Sequence, residues 1–384
     1  MWNSWLRYAL LCLAFLPKST STIGNFSWVN FSSSVLQQHI NSNITTESKG
    51  INVFYAIFAG RKDVMKIHLQ YTDIMLQLGL VTEVHIWDFT NGNTADCDYL
   101  TSFIIDTILP GYRLYEKPSS HSQKYVNQAH RTHYLWYSFH DHYLNNKRYR
   151  PQDILIKADD DIVHIDMSSF PAFVDKVANS SNNNLHFPNI INNDVGFVVQ
   201  YDRIVHEAPE LQKWMNYYTI MPHQFKFKHI FNDFYNGSNN LFVPPITSKA
   251  DGVYRKGNFS YDMHQLFLRN PSRYLHQLHI SKLPRLVPFN KRISINMYAA
   301  KFDVIRLVYK LFLEKYCCMD EIFIGIYPTL THNSHIIHVD FVVSHLAFGL
   351  QYKDPRIEHV RSEYAEIAAV FTKEFNRLLL QSTH

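Results

Sequence analysis

Three consecutive aspartates, Asp159, Asp160 and Asp161, follow a mainly apolar run at residues 154–158. Adjacent carboxylates repel one another, and a bound cation relieves that repulsion. In extended backbone Asp159 and Asp161 point to one side and Asp160 to the other. Two carboxylates on one side predict a site for Mn²⁺ or Mg²⁺, completed by water and by phosphate, for which a nucleotide diphosphate is the natural source. A solvated acidic turn is the alternative.

Other polar residues also occur at the ends of apolar runs. Gly60 and Arg61 follow the first run, and Asp88 lies near the end of the second. Doubly wound sheets bind ligands beyond the carboxyl ends of their strands. Gly60 permits close backbone approach, Arg61 can form a forked pair with phosphate, and Asp88 can accept a hydrogen bond from a base or ribose. Lys124 is predicted to face the diphosphate, and a surface role is the alternative for each residue.

The elements that must position these residues follow from the apolar patterns. Residues 51–58 predict a buried strand, a helical pattern follows as far as Gly79, and residues 84–89 predict a second strand. Strand, helix and strand within this length predict a right-handed parallel unit. A helical stretch at residues 123–145 leads to a third strand at residues 153–158. These elements indicate an α/β fold.

Composition excludes several classes of protein. Of the 384 residues, 46% are hydrophobic and 18% are charged, which is typical of a globular protein and excludes a disordered chain, a collagen or a heptad rod. Lys and Arg total 37 against 33 Asp and Glu, a net charge of +4. This balance lacks the basic excess of a nucleic-acid-binding protein, so no nucleic-acid partner is predicted.

The amino terminus is typical of a secretory protein. An apolar run at residues 8–16 suits a signal peptide and is shorter than the ~20 residues of a membrane span. Residues 1–22 are predicted to be a signal peptide or an uncleaved signal anchor, with a buried helix as the alternative. Three of six Asn-x-Ser/Thr acceptor sites follow, which predicts a glycosylated stem at residues 23–50. The chain is therefore expected in the secretory pathway, with a membrane as partner only if the anchor is uncleaved.

The triplet at a strand end resembles the Asp-x-Asp motif of the GT-A glycosyltransferases, which holds a metal bound to a nucleotide sugar. The resemblance covers residues 51–353, where blocks in order are similar to a little-characterised eukaryotic family of predicted glycosyltransferases. Besides the triplet, these blocks are residues 83–90, 187–193, 292–296 and 342–349. The resemblance implies a metal-dependent hexosyltransferase of the Golgi lumen, or a secreted one. It would move a sugar, most simply from a UDP-sugar, to a hydroxyl of a glycan or glycoprotein acceptor.

The resemblance also implies a domain organisation. Residues 51–353 would form a single large catalytic domain with the GT-A (Rossmann-like) fold, a mostly parallel sheet flanked by helices. Residues 51–170 would bind the nucleotide sugar and residues 171–353 the acceptor. In residues 354–384, apolar residues recur at spacings of three and four, which predicts an amphipathic C-terminal helix.

Further site residues come from the same resemblance. Residues 319–325 are similar to the Glu-Asp-Val-Tyr/Phe-x-Gly segment of the β1,3-galactosyltransferase and Fringe groups, where an acidic residue serves as the base toward the acceptor hydroxyl. By position the base is Glu321, but the reversed order here makes Asp320 a competitor, and a helix cap is the alternative. His345 is implied as a third metal ligand, with a packing role as its alternative. Asp160 is expected to contact the nucleotide sugar.

Two other kinds of protein compete with this prediction. A catalytically inactive secreted binding protein would keep the same fold. It would differ from the enzyme in whether the triplet, His345 and one of Asp320 and Glu321 converge on one cleft. A metal-dependent phosphohydrolase would need a second cluster of ligands, and the sequence shows none near the triplet.

Overall fold

A computed structural model describes residues 50–90, 93–107, 109–115, 131–180, 184–192, 257–269, 271, 274–275, 285–287, 296–315, 335–347 and 349–382. The described strands are β1 Val53–Ala59, β2 Glu83–Asp88, β3 Tyr112–Tyr115, β4 Ile154–Asp159, β5 Ile162–Ile165, β6 His186–Ile191, β7 Arg285–Val287, β8 Met297–Lys301 and β9 His335–His345. The described helices are α1 Lys62–Gln77, α2 Thr94–Asp106, α3 Arg131–Asn145, α4 Phe170–Ala178, α5 Gly257–Arg269, α6 Phe302–Lys315 and α7 Arg356–Ser382, with a 3₁₀ helix at Gly349–Lys353.

The first strands and helix form because their apolar residues follow strand and helix periods. All seven residues of β1 are buried, as expected for a central strand covered on both faces. Helix α1 then buries one face and ends next to Gly79, whose φ of 65° is the left-handed conformation that closes helices. The amide of Lys62, the first residue of α1, donates to Oδ1 of Asp96 in α2 (2.9 Å). Strands β1, β2 and β4 lie within one or two residues of their predicted positions.

The sheet is mixed, so the predicted mostly parallel sheet is wrong. All the described strands belong to it, in the order β3-β2-β1-β4-β8-β6-β9-β5, with β7 also pairing with β9. Strands β3, β2, β1 and β4 are parallel, as predicted for β1, β2 and β4, whereas β3 was not predicted. Among the described strands beyond β4, only β6 and β9 form a parallel pair. Strand β8 is antiparallel to both β4 and β6, and strand β9 is antiparallel to both β5 and β7. A short apolar run predicts a buried strand but carries no information about its direction. The sequence therefore did not show that most of the strands beyond β4 are antiparallel to their neighbours.

Helices cover both faces of this α/β sheet. Successive residues of β1 point to opposite faces. Phe54 packs edge-on against Phe302 of α6. Tyr55 packs edge-on against His68 of α1 on the other face. Helix α3 packs against α6. On the other face α7 packs against α1, and α5 packs against α7. Helix α7 lies where the C-terminal amphipathic helix is predicted.

Three buried histidines share hydrogen bonds with tyrosine hydroxyls on the α1 side of the sheet. The pairs are His68 with Tyr55 (2.9 Å), His164 with Tyr71 (3.2 Å) and His264 with Tyr364 (3.0 Å). Burial lowers the pKa of each of these histidines to about 4. At neutral pH the three imidazoles are therefore uncharged and act as polar links between β1, β5, α1, α5 and α7.

Among the described helices, none combines the length and the apolar character that crossing a membrane requires. Residues 1–49, which include the predicted signal segment and nearly all of the predicted stem, lie outside the described residues.

Candidate metal centre

The three aspartates lie where strands from distant parts of the chain end together. Strand β4 ends at Asp159, and β5 begins directly after Asp161. The amide of Asp159 donates to the carbonyl of Asn296, directly before β8 (2.8 Å), and the amide of Leu346, directly after β9, donates to the carbonyl of Asp161 (2.9 Å). The backbone of the triplet is therefore held by residues that flank β8 and β9.

This arrangement brings together the three residues predicted as metal ligands. One ligand atom from each of Asp159, Asp161 and His345 lies within 4.8 Å of the other two. His345 is the last residue of β9, and its Nε2 lies 3.2 Å from Oδ1 of Asp161. The side chains of Asp161 and His345 are 4% and 3% exposed, whereas that of Asp159 is 26% exposed. The group therefore has a buried side and a side that a ligand can reach.

The chemistry of these donors fits a small divalent cation. Two carboxylates and one imidazole suit Mn²⁺, and carboxylates with water and phosphate suit Mg²⁺. Oδ1 of Asp161 is buried, and the described nitrogen beside it is Nε2 of His345, at 3.2 Å. A buried carboxylate oxygen in this position is costly unless a cation or a donor satisfies it.

Asp159 also interacts with two neighbouring side chains, one on its own strand and one directly before β8. Lys157, on the same side of β4, forms an ion pair with Oδ1 of Asp159, and Asn296 donates through Nδ2 to its Oδ2 (3.3 Å). The side chain of Lys157 is only 1% exposed, and its Nζ lies 4.4 Å from the ring centre of Phe58. The charge of Asp159 is therefore partly offset within the protein.

Arg61 connects the other two aspartates. Its Nε donates to Oδ2 of Asp160 (2.9 Å), a second nitrogen pairs with Oδ1 of Asp160, and the same nitrogen lies 2.9 Å from Oδ2 of Asp161. The guanidinium also lies over the ring of Tyr352, 4.9 Å from its centre, and the Tyr352 hydroxyl donates to Oδ2 of Asp161 (3.1 Å). Burial alone would raise the pKa of Asp161, but Arg61 and His345 together hold it well below its ordinary value. Asp161 is therefore ionised at neutral pH.

Gly60 and Asp160 interact with each other. The amide of Gly60 donates to Oδ2 of Asp160 (3.1 Å). A Cβ at position 60 would lie 3.1 Å from that oxygen and 3.3 Å from the carbonyl oxygen of Phe89. Gly60 is therefore the residue that fits without displacing a neighbour. Both carboxylate oxygens of Asp160, a predicted sugar-nucleotide contact, interact with residues 60 and 61 at the end of β1.

Of the remaining predicted site residues, Asp88 lies on the neighbouring strand, opposite Ala59 of β1, and three residues lie outside the described part of the chain. Asp88 ends β2, and its Oδ1 accepts hydrogen bonds from the amide (2.9 Å) and the hydroxyl (2.6 Å) of Thr90. Lys124, Asp320 and Glu321 lie outside the described residues. The convergence of an acidic base with the triplet therefore stays a prediction.

A buried amide pair fixes the backbone that carries His345. Asn192, with a φ of 63°, donates through Nδ2 to the carbonyl of His345 (3.2 Å), to that of Leu346 (3.1 Å) and to Oε1 of Gln351 (3.0 Å). Gln351 returns a hydrogen bond from Nε2 to Oδ1 of Asn192 (3.3 Å). The Leu346 carbonyl also contacts Nε2 of His264 (2.8 Å). The end of β9 and the 3₁₀ helix that carries Tyr352 are therefore held together beside the triplet.

Sequence reasoning missed Lys157, Tyr352, Asn296 and the pair of Asn192 with Gln351. The sequence could have indicated Lys157. It is a lysine inside an apolar strand, and because it comes two residues before Asp159 it points to the same side of the sheet. Asn192 and Asn296 lie in the similar blocks at residues 187–193 and 292–296, but no local pattern indicates the contacts of these residues or of Tyr352 and Gln351, which join segments far apart in the chain.

Comparisons with known proteins give no independent identification. Searches of protein-family models, of curated proteins and of solved structures each found no match to this chain.

Proposed function

We propose that this protein is a divalent-metal-dependent glycosyltransferase with the GT-A fold, which moves a sugar from a nucleotide sugar to an acceptor hydroxyl. The observation that carries the proposal is the convergence of Asp159, Asp161 and His345. Asp159 ends β4 beside the parallel strand β1, which itself ends next to Gly60. Ligand sites of α/β sheets lie beyond the carboxyl ends of parallel strands, which supports this location.

In this proposal the cation is Mn²⁺ or Mg²⁺, held by the two carboxylates and the imidazole. When bound, the metal would offset the charge that develops on the departing diphosphate. Arg61 lies at the same edge, is about half exposed and has the fork geometry that suits phosphate. Gly60, Asp88, Asp160 and Lys124 complete the proposed binding surface for the nucleotide sugar, most simply a UDP-sugar.

The acceptor side of the proposal relies on the sequence. Glu321, or Asp320 in its place, would take the proton of the acceptor hydroxyl as the new bond forms. The acceptor would be a glycan or a glycoprotein. The signal-like segment and the acceptor sites for N-glycans support a place in the secretory pathway, as a Golgi-lumenal or secreted protein.

A second function is favoured by one observation. Lys157 and Arg61 already pair with Asp159 and with Asp160 and Asp161, as expected of a cluster in which ion pairs replace a metal. The alternative is therefore a catalytically inactive secreted binding protein on the same fold.

Binding and turnover measurements separate these functions. With the full-length secreted protein, we expect UDP to bind in the presence of Mn²⁺ and to lose most of its affinity when EDTA is added. The Asp161→Asn variant should lose this metal dependence. The control is Asp340→Asn, which should keep it: Asp340 lies on the same strand as His345, but its carboxylate pairs with Lys176 of α4.

Mn²⁺-dependent release of UDP from a UDP-sugar, with the sugar recovered on the hydroxyl of an added acceptor, would establish a transferase. Metal-coupled binding without release, with or without added acceptors, would favour the binding protein. UDP affinity that is unchanged by EDTA would refute the proposed metal site.

A further inference from the structure

Two basic side chains contact the same carboxylates that are proposed to bind the metal. Lys157 pairs with Asp159, and the guanidinium of Arg61 lies 2.9 Å from Oδ2 of Asp161. Both carboxylates therefore have a positive partner in the protein itself. This differs from a site in which ligand carboxylates face only each other and solvent.

The two cations lie in different surroundings. Lys157 is enclosed by the sheet, because its side chain is 1% exposed and its Nζ lies beside Phe58. Arg61 is 43% exposed, but Asp160 and Tyr352 hold its guanidinium in place. Burying a lysine beside a carboxylate costs desolvation energy that a well-packed apolar residue avoids. An effect on the site would account for a lysine at this position.

The net charge of the cluster follows from these contacts. With all three aspartates ionised, the cluster of three carboxylates and two basic residues has a net charge of −1, and a bound divalent cation would change it to +1. A nucleotide diphosphate would then supply the missing negative charge. Even with the dielectric constant of bulk water, a unit positive charge about 5 Å from a divalent cation weakens its binding about tenfold.

We propose that Lys157 and Arg61 are built-in counter-cations, which keep the affinity for a divalent metal low until an anionic co-ligand such as a diphosphate binds with it. The inference rests on the proposed metal site. It adds a physical reason why binding of the metal and binding of the nucleotide depend on each other. Each ligand then strengthens the binding of the other by the same factor. A free metal ion binds weakly, and the loaded site forms when both are present.

Removing either cation tests this inference, because the expected change is a gain of affinity, which structural damage would not produce. Binding of Mn²⁺ alone to the full-length protein is measured by the electron paramagnetic resonance signal of free Mn²⁺. We expect Lys157→Met and Arg61→Gln each to bind Mn²⁺ about tenfold more tightly than the wild type. The factor by which UDP tightens Mn²⁺ binding should fall in both variants.

Matched controls remove a paired cation at another place. Arg150→Gln alters the pair with buried Asp153, directly before β4 at its opposite end, and Lys176→Met alters the pair with Asp340. Both should bind Mn²⁺ as the wild type does. If the controls gained as much Mn²⁺ affinity as Lys157→Met and Arg61→Gln, the effect would come from the net charge of the whole protein, and the inference would be wrong.

The outcomes distinguish this inference from the proposed function. If the wild type binds Mn²⁺ and Arg61→Gln binds it no more tightly, the inference is wrong and the metal site stands. If Lys157→Met does not fold, Arg61→Gln decides alone, because its side chain is partly exposed. If neither the wild type nor any variant binds Mn²⁺ at millimolar concentration, with or without UDP, both proposals fail.

Discussion

Mild acid should destabilise this protein strongly, because of the three buried histidine–tyrosine pairs. Each of these histidines is uncharged in the folded protein, with a pKa that burial lowers to about 4. In the unfolded chain the same side chains have a pKa of about 6.5. Between these two values the unfolded chain binds more protons than the folded protein, so the free energy of unfolding falls as the pH falls.

The magnitude follows from the two pKa values. From pH 7 to pH 5, each histidine lowers the free energy of unfolding by about 1.8 kcal/mol, and the three together by about 5 kcal/mol. Asp73 acts in the opposite direction, because burial raises its pKa to about 6, and it returns about 1.3 kcal/mol over the same interval. These four groups together give a loss of about 4 kcal/mol, a large part of the 5–15 kcal/mol that typically stabilises a folded domain. Burial also lowers the pKa of His140, His142, His186 and His338 to about 3 or 4, so they add to the loss.

Urea unfolding at pH 7 and pH 5, followed by far-ultraviolet circular dichroism, measures this effect. With a slope of about 3 kcal/mol/M, the midpoint should fall by more than about 1 M urea. His264→Gln removes one titrating imidazole, so its pH-dependent loss should be smaller by about 1.8 kcal/mol. His359→Gln is the control, since His359 is 68% exposed and should leave the loss unchanged.

An equal free energy of unfolding at pH 7 and pH 5 would refute this reasoning. It would mean that these imidazoles are protonated in the folded protein or are exposed to water. A loss that stays the same in His264→Gln would show that other groups carry it.

Two further predictions concern the site. Asn192→Ala should lower the free energy of unfolding by about 2–3 kcal/mol and weaken Mn²⁺ binding, because it removes the amide that holds the end of β9 and places alanine at a positive φ. Asn192→Gly, which tolerates that φ, should recover part of the stability but not the Mn²⁺ affinity. Amide substitution of the true base, Glu321→Gln or else Asp320→Asn, should reduce turnover about 10² to 10⁴-fold with nucleotide-sugar binding nearly unchanged. Full turnover in both variants would exclude both residues as the base.

Part of the parallel half of the sheet was predictable because its signals are local, although β3 was not predicted. Strand β1, helix α1 and strand β2 are consecutive, and each has a clear apolar period. The antiparallel half was not, because β8 lies between β4 and β6 through pairings with strands distant in the chain. Such pairings depend on packing between elements, which a single sequence does not record.

In the candidate site, too, the sequence identified some residues and not others. Asp159 and Asp161 could be identified from their spacing after a strand, and His345 from a resemblance in its surrounding block. Tyr352 and the buried Asn192 amide could not, because their importance comes from contacts made only after folding.

The pairing of β4 with β8 also has a consequence during synthesis. Strand β4 leaves the ribosome about 140 residues before β8, which at 5–20 residues per second is a delay of about 7–30 s. Through much of that time the edge of β4 that later pairs with β8 is open, although β4 is apolar and buried in the finished protein. Open apolar edges pair with other chains, so the nascent protein is exposed to aggregation until its last third is made. We therefore expect the yield of folded protein to depend on translation rate and on chaperones that cover this edge.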